Sequence, residues 1–91
     1  MEGIAKHIIF EGRVQGVGFR FTALDKANSH NLKGHVRNMP DGTVEMLAQG
    51  RAEDIDNCID AISRTFDSYI TAIRVNEVPV SDSLEGFRIT F

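Results

Sequence analysis

Apolar and polar residues alternate along five stretches of the chain, which are residues 6–14, 32–38, 44–50, 70–78 and 87–91. A period of two is typical of a strand with one buried face, so the pattern predicts five strands. In the fourth stretch, Val78 falls out of phase with Ile73 and Val75. We expect a bulge in the fourth strand, which would restore the phase.

Two stretches between these strands have apolar residues at helical spacing instead. In residues 19–29 they are Phe19, Ala23, Leu24 and Ala27. In residues 51–66 they are Ile55, Ile59, Ile62 and Phe66. Both stretches therefore predict helices with one apolar face. Asn31 follows the first helix, at a position where a residue in the left-handed conformation often ends a helix.

The order of these elements predicts an α+β fold. Residues 39–42 (Met-Pro-Asp-Gly) form a turn, so the third strand folds back on the second. The order βαββαβ, followed by a short fifth strand, is that of a ferredoxin-like sandwich, in which two helices pack on one face of an antiparallel sheet of four to five strands. Ninety-one residues suffice for one modest core, and we expect residues 1–91 to form a single domain.

Charge and composition exclude several classes of partner. The formal net charge of −3 argues against a nucleic-acid or anionic-membrane partner, because such binding needs accumulated positive charge. The single cysteine, Cys58, excludes an intramolecular disulfide and a cysteine-based zinc site. The sequence shows neither a charged-then-apolar leader nor an apolar run of membrane-spanning length. We therefore expect a cytoplasmic protein without a membrane partner, and we expect a monomer.

A glycine-rich stretch joins the first predicted strand to the first helix. Its sequence is GRVQGVGFR, residues 12–20. Its three glycines let the backbone curl until several N–H groups converge on one point, which favours an anion. The helix that follows adds its positive dipole end, and Arg20 adds a planar fork that matches phosphate oxygens. The stretch predicts a phosphate site formed by Gln15, Gly16, Val17, Gly18, Phe19 and Arg20.

Asn38 ends the second predicted strand. In the predicted fold, strands 1 and 2 are parallel with strand 3 between them, so their C-terminal ends emerge at the same edge of the sheet. Two strand spacings separate these ends by roughly 10 Å, and an inward-curling loop shortens that gap to a phosphate and a water. By itself Asn38 is more typical of a strand-end turn. Its register with the loop makes it a candidate site residue.

Two stretches of the chain resemble the acylphosphatase family. Residues 12–20 look like its first signature, and a second signature follows at matching spacing in the segments GHVRN (34–38) and DGTV (41–44) and in Gly50. The resemblance implies the ferredoxin-like fold with strands 1 and 3 central. It also implies hydrolysis of acyl phosphates without a metal or other cofactor, and catalytic roles for Arg20 and Asn38.

The polar groups of the candidate site suit one class of phosphate compound. They are backbone N–H groups, the Arg20 guanidinium and the Asn38 amide, with no obvious strong base, nucleophile or metal cluster. Hydrolysis of a phosphate monoester with a poor leaving group would need a general acid, a nucleophile or metal ions. An acyl phosphate does not need them, because it releases a carboxylate, a weak base with a pKa of roughly 4. We expect water to attack the phosphorus of a small acyl phosphate in line, oriented by Asn38 while the loop holds the phosphate.

The three histidines are scattered and have no spacing typical of a metal site. His30 and His35 depart from the family pattern, because they stand where an apolar and an aromatic residue are common. His35 alternates with Val36 and therefore lies on the open face of the sheet. Histidine in place of the usual aromatic residue should affect packing on that face more than the chemistry.

Two other functions stay open at this point. The chain could be a module that binds acyl or carbamoyl phosphate for a larger enzyme, as the similar domain of hydrogenase-maturation carbamoyltransferases suggests by resemblance. Turnover by the isolated domain would exclude that role. An RNA-binding βαββαβ domain would need aromatic and basic residues on the open sheet face. The predicted open face carries Ile9, Glu11, Glu45 and Leu47 instead.

Overall fold

The computed structural model describes residues 3–91. Its strands are β1 (Ile4–Gly12), β2 (Lys33–Asn38), β3 (Val44–Gly50), β4 (Ile70–Val78) and β5 (Phe87–Ile89), and its helices are α1 (Phe19–Ser29) and α2 (Ala52–Thr65). The element order confirms the predicted ferredoxin-like βαββαβ sandwich with a short fifth strand.

The five strands form one sheet in the order β4-β1-β3-β2-β5, with β1 and β3 central as the family resemblance implied. The first four strands are antiparallel to their neighbours, whereas β5 is parallel to β2. The sheet is therefore mixed and not antiparallel throughout. The C-terminal end of β4 and the N-terminal end of β2 lie at the same end of the sheet. The chain then crosses this end to the far side of β2, so β5 runs in the same direction as β2. A three-residue strand carries no sequence signal for that direction.

The core lies between the two helices and one face of the sheet. The buried residues of α2 are Ile55, Cys58 and Ile62, three members of the apolar face. The ring of Phe19, at the start of α1, packs against Phe10 on β1 and Phe66 after α2, with centroids 4.9 and 4.8 Å away. All three rings are buried, and such aromatic contacts add to the stabilisation from burial. α1 therefore begins at a fixed point in the core.

The irregularity of β4 lies at Thr71, which is skipped in the register with β1. The register between Val75 and Val78 is regular, so the prediction that a bulge restores the phase of Val78 is wrong. Val75 pairs with Ile8 of the core face, while Val78 pairs with Ala5 on the open face. Both faces of β4 therefore carry an apolar residue, which a strict two-residue pattern does not describe.

The C-terminus of α1 is capped by the two residues that follow it. Asn31 has a φ angle of 57°, which confirms the left-handed conformation expected there. The ring Nδ1 of His30 donates to the carbonyl oxygen of Lys26 at 2.8 Å. The last carbonyls of a helix need such donors. His30 therefore stabilises the helix end in place of the apolar contact that is common in the family.

The open face of the sheet carries a cluster of polar side chains. Glu45 on β3 contacts His7 on β1 (Oε2 to Nε2, 2.8 Å) and accepts a hydrogen bond from Arg37 on β2 (Nε to Oε1, 2.7 Å). The His7 contact is the main cause that lowers the pKa of Glu45, and burial opposes it. His35 lies on the same face, as predicted. Its Nδ1 is buried and has no partner among residues 3–91.

We expect Glu45→Gln to lower the free energy of unfolding by about 1–2 kcal/mol at neutral pH, because the amide binds His7 and Arg37 more weakly than the carboxylate does. The folded-state pKa of Glu45 is below its unfolded value. Its stabilisation is therefore fully present above the unfolded pKa and is lost as the pH falls through the folded pKa. Urea denaturation over this range measures the effect. Glu77→Gln, on the exposed strand β4, is the control, and a pH-independent difference would contradict the prediction.

Candidate active site

The loop between β1 and α1 has the backbone conformation that its glycines predicted. Gly16 and Gly18 have φ angles of 76° and 79°, in the left-handed region that a Cβ disfavours. At the base of the loop, a Cβ on Gly12 would lie 2.1 Å from the carbonyl oxygen of Tyr69. The N–H of Arg13 donates to the same oxygen at 2.9 Å. Close backbone contact therefore fixes the loop where it leaves the sheet.

The backbone N–H groups of residues 15–20 have no hydrogen-bond acceptor within residues 3–91. The Thr22 N–H donates to the Gly18 carbonyl at 3.1 Å, as the first hydrogen bond of α1. Gly18 is the N-cap residue and makes no side-chain cap. Unpaired donors at a helix N-terminus carry partial positive charge. This end of the loop therefore favours an anion.

Arg20 lies in the first turn of α1 and is half-buried. Its guanidinium carbon is 5.4 Å from the centroid of the Phe91 ring. Among residues 3–91, no carboxylate or carbonyl lies within bonding distance of its guanidinium. A guanidinium is planar by itself, and an exposed aromatic ring within about 6 Å attracts it weakly. Phe91 is 97% exposed, so this contact does not hold Arg20 in one orientation, and the guanidinium donors are left for a ligand.

Asn38 is the last residue of β2, and its side chain is half-buried. Its amide has no hydrogen-bond partner within the described chain. Two residues earlier, the carbonyl of Val36 accepts a hydrogen bond from the N–H of Thr90 at 2.9 Å. Thr90 is bonded to Phe91, the residue that contacts Arg20. The C-terminal segment thus connects the Arg20 side of the loop to the end of β2.

Gln15 forms a direct contact between the loop and the segment after Asn38. Its Nε2 donates to the carbonyl oxygens of Met39 at 2.8 Å and Thr43 at 2.9 Å. An amide nitrogen has two protons, and both are used here. The sequence placed Gln15 in the predicted phosphate site, where its side chain is a candidate for a substrate contact. In the structure only its carbonyl oxygen is left for one.

The comparison with known proteins identifies the family. A family model described as Acylphosphatase matches residues 6–89. The chain belongs to the acylphosphatase family. It is 47% identical over 87 residues to an acylphosphatase of Chlorobaculum tepidum, and this match covers 91% of each chain. It is 41% identical over 85 residues to an acylphosphatase of Bacillus licheniformis, over 92% of this chain and 94% of that one. The chain is accordingly an enzyme that hydrolyses acyl phosphates.

Solved structures extend the similarity to the whole acylphosphatase fold. The crystal structure of acylphosphatase from Bacillus subtilis has a TM-score of 0.89 and 36% identity, and the match covers 97% of this chain and 99% of that one. Full-length HypF, solved in its phosphate- and nucleotide-bound form, has a TM-score of 0.81 and 30% identity. That match covers 99% of this chain but 12% of HypF, so the fold also occurs as one part of a longer protein.

The remaining titratable groups add little chemistry to the acylphosphatase site. Burial raises the pKa of Cys58 to about 11, so this thiol is not an activated nucleophile. Hydrogen bonds from Thr43 lower the pKa of Asp41, a residue of the turn after β2. The described residues contain no group of three or more His, Cys, Asp or Glu side chains able to hold a metal ion.

The helices of this acylphosphatase are short, with 11 and 14 residues. Over residues 3–91, none has both the length and the apolar character that crossing a bilayer would require. The cytoplasmic location, the monomeric state and the lack of a nucleic-acid partner stay predictions.

Two contacts in the acylphosphatase site were missed by sequence reasoning. They are the proximity of the Phe91 ring to Arg20 and the double hydrogen bond of the Gln15 side chain. Both join residues that are far apart in the chain. The sequence signal for Gln15 was its place among the glycines, and that signal indicated the backbone and not the side chain. The alternation in residues 87–91 predicted Phe91 as part of the fifth strand, whereas β5 ends at Ile89 and Phe91 is exposed.

Proposed function

We propose that the chain is a single-domain acylphosphatase that cleaves the carboxyl–phosphate bond of small acyl phosphates without a metal ion. The observation that carries the proposal is a set of polar groups without partners, on elements that meet one edge of the sheet. They are the N–H groups of residues 15–20, the Arg20 guanidinium and the Asn38 amide. None of them has a hydrogen-bond partner in the described chain. The N–H groups and the guanidinium suit an anion with several oxygens, and the Asn38 side-chain oxygen suits a water.

The loop and Arg20 bind the phosphoryl group in this proposal. The N–H groups of residues 15–20 surround its oxygens, and the positive end of α1 adds to their field. Arg20 contributes a planar pair of donors that matches two phosphate oxygens. Charge on these oxygens is redistributed as the transition state forms. Donors that are fixed beforehand stabilise it without reorganising at that moment.

Asn38 orients the attacking water. Its side-chain oxygen accepts a hydrogen bond from the water, which places the water oxygen in line with the bond to the leaving group. A bond forms between the water oxygen and phosphorus while the bond from phosphorus to the acyl oxygen breaks. The acyl group leaves as a carboxylate with the electron pair, and the proton from the water passes to a phosphate oxygen. Because a carboxylate with a pKa of roughly 4 leaves readily, no general acid is required.

The first experiment is hydrolysis of a chromophoric aryl acyl phosphate by the purified protein, with and without a chelator. We expect equal rates in both, because no step in the proposed mechanism uses a metal ion. Release of one carboxylate and one inorganic phosphate per substrate checks the stoichiometry. A rate that falls with the chelator and returns with a divalent cation would contradict the metal-independent mechanism.

The similarity to HypF supports a second candidate, an accessory module that binds an acyl or carbamoyl phosphate. The observation in its favour is that a domain of this fold lies within the much longer HypF chain. No turnover by a folded protein that still binds inorganic phosphate would favour this role. The coverage of the Chlorobaculum tepidum and Bacillus subtilis acylphosphatases, 91% and 99% of their lengths, supports the enzyme.

We also propose that the enzyme acts as a monomer in the cytoplasm. The candidate site draws every one of its groups from one chain, so the proposed mechanism needs no second copy. Light scattering at assay concentration tests the monomer, and a dimer mass would contradict it. Fractionation of the source cells tests the location.

A further inference from the structure

The turn after Asn38 is closed by its own hydrogen bonds. The Met39 N–H donates to the Thr43 carbonyl at 2.9 Å, and the Gly42 N–H donates to the Met39 carbonyl at 3.1 Å. Asp41 Oδ1 accepts from both the N–H and the hydroxyl of Thr43, at 3.0 and 2.6 Å. Such a turn has few alternative conformations. The turn is therefore rigid enough to hold a neighbouring segment in a fixed position.

The Gln15 side chain attaches the phosphate loop to this turn. It donates to the carbonyls of Met39 and Thr43, the two that also close the turn. Each of these carbonyls therefore accepts two hydrogen bonds, one for each lone pair. Among the polar contacts of residues 3–91, no others join residues 13–18 to residues 39–43. Strand β3 separates the loop and the end of β2 within the sheet.

We propose that Gln15 is a positioning residue that fixes the distance between the phosphate loop and Asn38. The inference rests on the proposed function, in which the loop holds the phosphoryl group and Asn38 holds the water. In-line attack requires the water oxygen close to phosphorus and aligned with the breaking bond, and a misplacement of about 1 Å lowers the rate by about 100-fold. One side chain with two hydrogen bonds sets the relative position of these two groups.

Two other roles for Gln15 fit the contacts less well. A direct contact with phosphate would have to use its carbonyl oxygen, because both amide protons are donated to the turn. That oxygen accepts hydrogen bonds and does not donate them, so it repels phosphate oxygens. If Gln15 had a purely structural role, its substitution would change the stability of the protein without changing kcat. Gln15 is exposed, so that change should be small.

The test is Gln15→Met, which keeps the length of the side chain and removes both donors. We expect kcat to fall by about 10- to 100-fold, while the inhibition constant of inorganic phosphate changes by less than about twofold. Gln49→Met is the matched control. The Gln49 side chain, at the other end of β3, also makes two backbone hydrogen bonds: it donates to the carbonyl of Ser81 and accepts from the N–H of Ser81, both at 2.8 Å. The control should keep its kcat. An unchanged kcat for Gln15→Met, or a large rise in the inhibition constant, would overturn the inference.

A double-mutant cycle separates this inference from the proposed function. Asn38→Ala alone tests the water-orienting role. If it lowers kcat, Gln15→Met should have little further effect on that background, because the position of Asn38 no longer matters. Equal effects of Gln15→Met in both backgrounds would overturn the positioning role and leave the proposed function intact. An unchanged kcat for Asn38→Ala would overturn the proposed water-orienting step itself.

Discussion

Arg20→Ala is expected to lower kcat/KM for an acyl phosphate by about 1,000-fold or more, and to abolish measurable inhibition by inorganic phosphate. The guanidinium has no carboxylate partner among the described residues, so its charge is available to the substrate. Loss of a charged group that contacts a transferring phosphoryl group typically lowers rates by about 10³- to 10⁵-fold. Steady-state kinetics with an aryl acyl phosphate, together with phosphate titration, measure both effects.

Two further variants make this result specific. Arg64→Ala removes the same charge from the exposed side of α2, where the residue pairs with Asp60, and should keep full activity. Arg20→Lys keeps the charge but loses the planar pair of donors, so it should recover only part of the phosphate affinity. Arg20 makes no ion pair within residues 3–91 and its ring contact is with the exposed Phe91, so Arg20→Ala should stay folded. A folded Arg20→Ala protein with normal turnover would refute the assigned role.

Asn38→Ala is expected to lower kcat by at least about 100-fold while the inhibition constant of inorganic phosphate stays within about twofold. A misplacement of about 1 Å between reacting groups lowers a rate by about 100-fold, and loss of the Asn38 amide leaves the water without its orienting group. Phosphate binding should survive because the loop donors and Arg20 are untouched. The separation of rate from affinity is the signature of a residue that orients water and does not bind the phosphate.

Asn57→Ala is the matched control for this variant, since Asn57 is exposed on α2. Its kinetics should equal those of the parent protein. A loss of phosphate affinity in Asn38→Ala that parallels the loss of rate would show that Asn38 binds the phosphoryl group. Full activity in Asn38→Ala would exclude it from the mechanism.

Much of the fold could be predicted because the strands and helices bury one face each. The apolar stripe of residues 51–66 and the alternation in residues 44–50 match α2 and β3 closely. Prediction failed where local pattern carries no information. The direction of β5 depends on where the chain crosses the sheet, and the phase of Val78 depends on its partner Ala5 on β1.

The backbone of the candidate site was more predictable than its side-chain contacts. Glycines at positions 16 and 18 adopt the left-handed conformation that their type predicted, and the fold brings the loop and Asn38 to one edge. The double hydrogen bond of Gln15 could not be predicted, because its acceptors are carbonyls, which every residue has. The proximity of Phe91 to Arg20 joins the C-terminus to the first helix, so it is visible only after the chain has folded.

The ring that precedes Arg20 in the chain is one of the three that meet at the centre of the core. Warming cannot displace this part of the loop without first separating Phe19 from Phe10 and Phe66. Catalytic competence and the folded core should therefore disappear together, at one temperature. For this enzyme, the rate of turnover therefore measures the fraction of folded protein, and conditions that preserve the fold also preserve the activity.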